Sequence, residues 1–83
     1  MDGLTEGRIV HYVMSEGNSV GQHRPAIVVN AWGGSPNEGR VNLCVFSDFG
    51  NDGKQFNNGP FWATSAAYSE DPQPGTWHWI EKA

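Results

Sequence analysis

The chain has one cysteine, no long apolar run and few basic residues. Because Cys44 has no partner in the chain, an intramolecular disulfide is excluded. The longest nearly unbroken apolar segment, residues 24–29, is far shorter than the roughly 18 residues that a membrane-spanning helix requires. No secretory signal pattern opens the sequence. We therefore expect a soluble, cytoplasmic protein that does not contact membranes.

The scarcity of positive charge limits the partners. Five Lys and Arg residues stand against nine Asp and Glu, which gives a formal net charge of −4. Binding to long nucleic acid requires a basic surface, so this balance argues against it. A small phosphorylated ligand needs only one or two cations. No P-loop, GxGxxG, CxxC or nucleophile-elbow motif occurs, so we predict a binding protein rather than an enzyme, with no cofactor.

Short β-rich segments separated by turn-forming residues indicate an all-β protein. The length fits one domain, residues 1–83, with residues 1–6 expected to be flexible. We predict at most one helical turn and a long connection over residues 48–60. The architecture we favour is a small five-stranded SH3-like barrel, whose closure removes exposed edges, and an OB-fold is the alternative. The five strands are expected at about 8–14, 24–32, 40–47, 60–64 and 76–80.

The central strand begins with Arg24-Pro25, followed by an apolar run. Proline lacks an N–H group, so Pro25 is expected at the first position of the strand or at an edge. Arg24 then lies where a loop enters the core. There it is either a solvated residue at the end of a strand or a cation that meets a ligand.

The segment Trp77-His78-Trp79 is the most specific local feature. Alternation puts both indoles on one face of a strand and His78 on the other. The tryptophans either close the end of the barrel or form a stacking platform for a planar ligand. If the terminal strands pair, His11 approaches His78. Two histidines without a third nitrogen, thiolate or carboxylate make a poor zinc site, so no metal site is predicted.

A nucleotide pocket is the binding site that these residue types favour. Arginine and lysine suit phosphate, and aromatic rings suit the face of a base. The competing interpretation is a set of separate, solvated side chains. The predicted ligand-binding residues are His11, Arg24, Trp32, Lys54, Tyr68, Trp77, His78 and Trp79.

Three segments, residues 7–13, 23–29 and 75–79, resemble a family of small tailed-phage proteins. That family opens with a GxxVHYV-like strand, has a central R-[AP]-A-I-V run and ends in TWHW. Small phage proteins of this kind include counter-defence "sponges" that sequester the nucleotide signals of CBASS or Thoeris immunity. The resemblance implies a protein in the infected bacterial cell that binds a cyclic oligonucleotide or ADP-ribose derivative without cleaving it. It assigns no ligand residues.

Residues 7–10 and 24–29 also resemble the opening of MazF/PemK-type toxins, SH3-like barrels that cleave RNA. This resemblance implies a catalytic role for Arg24 and makes Ser47 the candidate for the family's later Thr or Ser, although the preceding Pro is absent. An endoribonuclease is thus the alternative function, and a protein-interaction module is a third. Ten aromatic residues in so small a chain also lead us to expect a homodimer or a higher homo-oligomer.

Overall fold

The computed structural model describes residues 1–33 and 38–81, and these form one closed, five-stranded β-barrel with strand order β1-β2-β3-β4-β5. The all-β class, the number of strands and the closure of the barrel are confirmed. The predicted turn over residues 33–39 lies mostly outside the described residues. The strands are β1 (Ile9–Val13), β2 (His23–Ala31), β3 (Val41–Val45), β4 (Phe61–Tyr68) and β5 (Thr76–His78).

The barrel closes through its shortest strand. β5 pairs antiparallel with β1, where His11 lies opposite His78 and Tyr12 opposite Trp77. On its other side β5 pairs with β4 in parallel orientation. The expected approach of His11 to His78 is therefore confirmed, because the terminal strands do pair.

Alternation along the strands separates core from surface. On β1, Val10 and Tyr12 face inward with the following Met14, and His11 faces outward. Trp77 on β5 is fully buried, and its indole Nε1 donates a hydrogen bond to the Gly39 carbonyl at 2.7 Å. Trp79 is half-buried and packs edge-on against Trp77, with ring centroids 5.1 Å apart. The interior of the barrel is thus aromatic at the β5 side.

The connection after β3 is more ordered than the sequence indicated. It contains a four-residue helix, α1 (Phe49–Asp52), and a 3₁₀ turn at Lys54–Phe56. A further 3₁₀ turn lies at Gly17–Ser19, so the described residues exceed the single helical turn that was predicted. Phe56 is buried in the core cluster, so this connection, the strap 48–60, covers one end of the barrel. None of the helices in the described part of the chain has the length and apolar character needed to span a membrane.

β4 extends four residues beyond its predicted end. Ser65 has a φ of 53°, and this left-handed residue makes a corner inside the strand. The corner is held by Arg40 Nη1, which donates to the Ser65 carbonyl at 2.8 Å, and by the Ser65 N–H, which donates to Asn42 Oδ1 at 2.9 Å. Before the corner β4 pairs mainly with β3, and after it β4 reaches β5.

The position of Pro25 also differs from expectation. Pro25 is the third residue of β2 rather than the first. The Pro25 carbonyl accepts a hydrogen bond from the Phe46 N–H at 2.9 Å, one residue beyond the end of β3. The N–H that proline lacks therefore falls at the end of the hydrogen-bond ladder between β2 and β3. The opening residues touch the barrel, where Leu4 packs against the core and Glu6 accepts a hydrogen bond from the Ala31 N–H. The flexibility expected of residues 1–6 stays a prediction.

Several large apolar side chains remain exposed outside the barrel. Trp62 and Phe49 are the most exposed aromatic residues, at 64% and 59%. Self-association through such residues remains a prediction.

Candidate metal centre

Three histidines project from the outer face of three adjacent strands. His11 lies on β1, His78 is directly opposite on β5, and His23 on β2 is opposite Val13. Residues two positions apart on paired strands lie on the same face of a sheet. His23 therefore lies diagonally across from His11, and the three rings gather on one surface.

Glu81, three residues beyond His78, joins the three rings. Its Oε2 is 2.8 Å from His11 Nδ1, and its Oε1 is 3.0 Å from His23 Nδ1. The same Oε1 contacts His78 Nε2. One carboxylate thus touches a nitrogen of every histidine in the sequence, and we call these four residues the histidine–glutamate cluster.

The carboxylate is well suited to bind a cation. Burial opposes its ionisation, but the hydrogen bond with His78, a backbone hydrogen bond and the hydrogen bond with His11 prevail, and they lower the pKa of Glu81 to about 2. The group is therefore ionised throughout the physiological range. Its side chain is 49% exposed, whereas that of His78 is 9% exposed. Glu81 lies on the solvent side of the cluster and His78 at its base.

The geometry matches the ligand set of a transition metal. One donor atom from each of the four residues lies within 4.8 Å of all the others. In a tetrahedral zinc site with bonds of about 2.0–2.2 Å, donor atoms are roughly 3.3–3.5 Å apart. The donor atoms here are at most 4.8 Å apart, so they would have to draw closer together to reach that arrangement. The His23 and His78 rings are already close, with centroids 4.6 Å apart.

The second nitrogen of His78 is buried. Its Nδ1 has no hydrogen-bond partner in the described part of the chain. A metal bound at Nε2 requires that Nδ1 carry the proton, because a neutral imidazole has one N–H. The structure therefore presents Nε2 of His78 to the cluster and turns Nδ1 into the protein.

Half of this cluster is predicted from the sequence. His11 and His78 are paired there, but no third nitrogen or carboxylate is assigned to them. His23 is not among the predicted ligand-binding residues, whereas its neighbour Arg24 is. The missed signal was the outward alternation of His23 on β2 together with the short spacing from His78 to Glu81.

Arg24 lies on the opposite face of β2 from His23 and is engaged within the protein. Its guanidinium donates to Asp52 through Nε at 2.9 Å and through Nη2 at 2.6 Å. It also donates to the His23 carbonyl and to Gln22. Ser47, the candidate from the toxin resemblance, donates to the Gly59 carbonyl at 3.1 Å. Both side chains hold the strap 48–60 in place.

The other predicted ligand residues are dispersed. Trp77 lies in the core between Tyr68 and Trp79, with ring centroids 5.0 and 5.1 Å away. Tyr68 also donates a hydrogen bond to Glu70. Burial, followed by the charge of Glu70, raises the pKa of the Tyr68 hydroxyl. Among the described residues, no side-chain hydrogen bond, ion pair or ring contact joins Trp32 or Lys54 to the other predicted ligand residues. The structure thus brings together His11 and His78, and separately Tyr68 with the two tryptophans.

No protein-family model, curated protein or solved structure matches this chain. The interpretation of the site therefore depends on its own geometry.

Proposed function

We propose that this protein binds a divalent transition metal ion, zinc foremost, at the histidine–glutamate cluster. The observation that carries the proposal is the convergence of three histidine nitrogens and one ionised carboxylate on a single surface point. The three rings share the Glu81 carboxylate as a partner, and a cation bound among them would be ligated by all four groups. The proposed donors are His11 Nδ1, His23 Nδ1, His78 Nε2 and the Glu81 carboxylate.

The donor types favour some metals over others. Calcium and magnesium prefer oxygen ligands, and this cluster offers three nitrogens. Imidazole suits zinc, copper, nickel and iron, and thiolate-selective metals have no sulfur donor in the cluster. Zinc accepts a tetrahedral set of nitrogen and oxygen donors without a geometric preference of its own. It is therefore the first ion to test.

The test is titration of the metal-free protein with zinc, followed by calorimetry and by native mass spectrometry. We expect one zinc ion per chain, together with release of protons as the histidines bind. His23→Ala should weaken the affinity by roughly a hundredfold or more, because it removes one of the four ligands. Asn18→Ala, an exposed residue outside the cluster, is the matched control and should bind zinc like the unaltered chain.

Two results would count against a metal centre. One is the absence of zinc binding at micromolar concentration by a folded chain. The other is binding that His23→Ala and Asn18→Ala weaken equally. Circular dichroism of each variant establishes that the barrel is intact.

Sequestration of a nucleotide signal in an infected bacterial cell remains a prediction, as does the alternative of RNA cleavage. What supports the first is the sequence resemblance and the presence of exposed aromatic residues such as Trp32. Incubation with cyclic oligonucleotides and ADP-ribose derivatives, followed by heating and assay of what is released, tests both. Intact ligand indicates sequestration, and cleaved ligand or RNA indicates catalysis.

A further inference from the structure

A cavity of about 260 Å³ opens beside the strap 48–60 and shares no residue with the histidine–glutamate cluster. Pockets for drug-sized ligands run from about 300 to 1,000 Å³, so this cavity suits a smaller molecule. Its walls come from the end of β1 and the loop that follows, from the strap, and from the start of β4. We call it the aromatic pocket, because four of its lining residues are aromatic: Tyr12, Phe56, Phe61 and Trp62.

Two neighbouring residues of β4 reach the pocket in different ways. Phe61 packs against the core, where its ring centroid lies 4.8 Å from that of Phe56 and 6.1 Å from that of Tyr12. Trp62 has the opposite orientation and is 64% exposed. No ring contact occupies its indole in the described part of the chain. The pocket therefore has inner walls of packed rings and, at its rim, an indole that is free to meet a ligand.

The rim of the aromatic pocket is polar and carries one charge. Ser15, Glu16 and Gln55 line it and are exposed. Among the described residues that line the pocket, Glu16 alone is charged, and none is Lys, Arg or His. Its carboxylate makes no hydrogen bond or ion pair in the described part of the chain. This rim suits a cation rather than a phosphate, and aromatic rings attract cations as well.

The inner part of the pocket offers little to an N–H donor. The hydroxyls of Tyr12 and Ser15 lie 3.3 Å apart and bond to each other. The other inner walls are the rings of Phe56 and Phe61 and the side chain of Met14. A buried N–H without an acceptor is costly. A quaternary ammonium group has a positive charge but no N–H, so it loses no hydrogen bond on entering such a site.

We propose that the aromatic pocket binds a small quaternary ammonium compound. The alkylated nitrogen lies against the aromatic walls, with Trp62 as the exposed ring beside it and the Glu16 carboxylate as its counter-charge. This site is independent of the proposed metal centre, since the two have no residue in common.

The first experiment titrates the full chain with choline in a calorimeter. The control ligand is dimethylbutanol, the uncharged isostere of choline in which a carbon atom replaces the nitrogen. We expect one choline per chain, and binding of the isostere that is weaker by roughly tenfold, because only the cation is attracted by the rings and the carboxylate. No binding of choline at millimolar concentration by the folded chain overturns the proposal. Equal affinity for the two ligands also overturns it, since the pocket would then select only for size and apolar character.

A pair of tryptophan variants tests the location of the site. Trp62→Ala should weaken choline binding by roughly tenfold, and Trp62→Phe should recover part of the loss because it retains a ring. Trp32→Ala removes another exposed indole, outside the pocket, and is the matched control that should bind choline like the unaltered chain. Circular dichroism establishes that each variant is folded. Equal weakening by Trp62→Ala and Trp32→Ala would place the site elsewhere and overturn the assignment.

A pair of carboxylate variants tests the counter-charge. Glu16→Gln should weaken choline binding by about two- to fivefold, as expected for an exposed charge pair, and should make the affinity much less sensitive to salt. Asp71→Asn, an exposed carboxylate outside the pocket, is the control and should change neither property. Salt sensitivity that persists unchanged in Glu16→Gln overturns the role of Glu16. Tighter binding of a trimethyllysine peptide than of choline would assign the pocket to a protein partner and overturn the small-ligand proposal.

Discussion

Arg24 and Asp52 are joined by two hydrogen bonds across one end of the barrel, and Asp52 is fully buried. Asp52 ends α1, so the pair ties β2 to the strap 48–60. The carboxylate Oδ2 also accepts from the Asp48 N–H at 2.7 Å. A buried charge with this many partners is stable only while the partners remain. The arginine therefore has a structural task that its position in the sequence did not reveal.

Loss of the arginine should destabilise the fold. We expect Arg24→Ala to lower the free energy of unfolding by about 3–5 kcal/mol, because Asp52 is left buried without its partner. Denaturation in urea measures the change. Lys54→Ala, an exposed cation on the same strap, is the control and should change stability by less than about 0.5 kcal/mol. A double variant, Arg24→Leu with Asp52→Leu, should be more stable than Arg24→Ala alone. An equal effect of Arg24→Ala and Lys54→Ala would refute the structural role.

Acid should weaken the same contact. The hydrogen bond from Arg24 is the main cause that lowers the pKa of Asp52; burial opposes it, and the Asp48 N–H reinforces it. The pKa is thus lower in the folded state than in the unfolded chain. The stabilisation is complete above the unfolded value, near about 4, and is lost as pH falls through the folded value. We expect unfolding free energy to decline steadily below about pH 4, and Asp52→Asn to show a shallower decline over the same interval.

Gly17 and Gly21 form a pair suited to testing how tightly the strap is packed. Both have positive φ, 84° and 89°. A Cβ at Gly17 would collide with the Asp52 carbonyl, whereas one at Gly21 would meet nothing within 4 Å. Gly21→Ala should cost roughly 1–2 kcal/mol from backbone strain alone. Gly17→Ala should cost clearly more, which a comparison of melting temperatures by circular dichroism will show. Equal losses would mean that the strap moves aside freely.

The two tryptophans around His78 should differ in their importance for folding. Trp77 is fully buried, and Trp79 is only partly buried against the core. Trp77→Ala should cost about 3–5 kcal/mol and Trp79→Ala markedly less. Trp77→Phe keeps most of the packing but loses the hydrogen bond to Gly39, so its melting temperature should lie between that of the unaltered chain and that of Trp77→Ala. The opposite order would place Trp79 in the core.

The sequence predicts the strands well because most of them alternate or run apolar for several residues. On β3, Val41, Leu43 and Val45 are buried and alternate with the partly buried Asn42 and Cys44, which shows the pattern clearly. It does not predict the short helix at Phe49–Asp52, because four residues are too few to show a helical period.

The cluster was harder to predict than the strands. His11 and His78 could be paired from the expected contact of the terminal strands. His23 depends on the register of β1 against β2, which a sequence does not reveal, and Glu81 lies beyond the last strand. The pairing of Arg24 with Asp52 is likewise a contact between distant segments. It occupies a guanidinium that, from the sequence, is a candidate for ligand binding.

The positions of the three histidines in the sequence indicate when the cluster forms during folding. His11 and His23 lie in the first third of the sequence, and His78 and Glu81 lie at the far end. These groups meet only after β5 has docked against β1, the step that completes the ring of strands. Contacts between such distant segments form late, since the chain must first lose the entropy of a long loop. If the cluster binds metal as proposed, the absorbance of bound cobalt in a stopped-flow refolding experiment would report when the barrel closes.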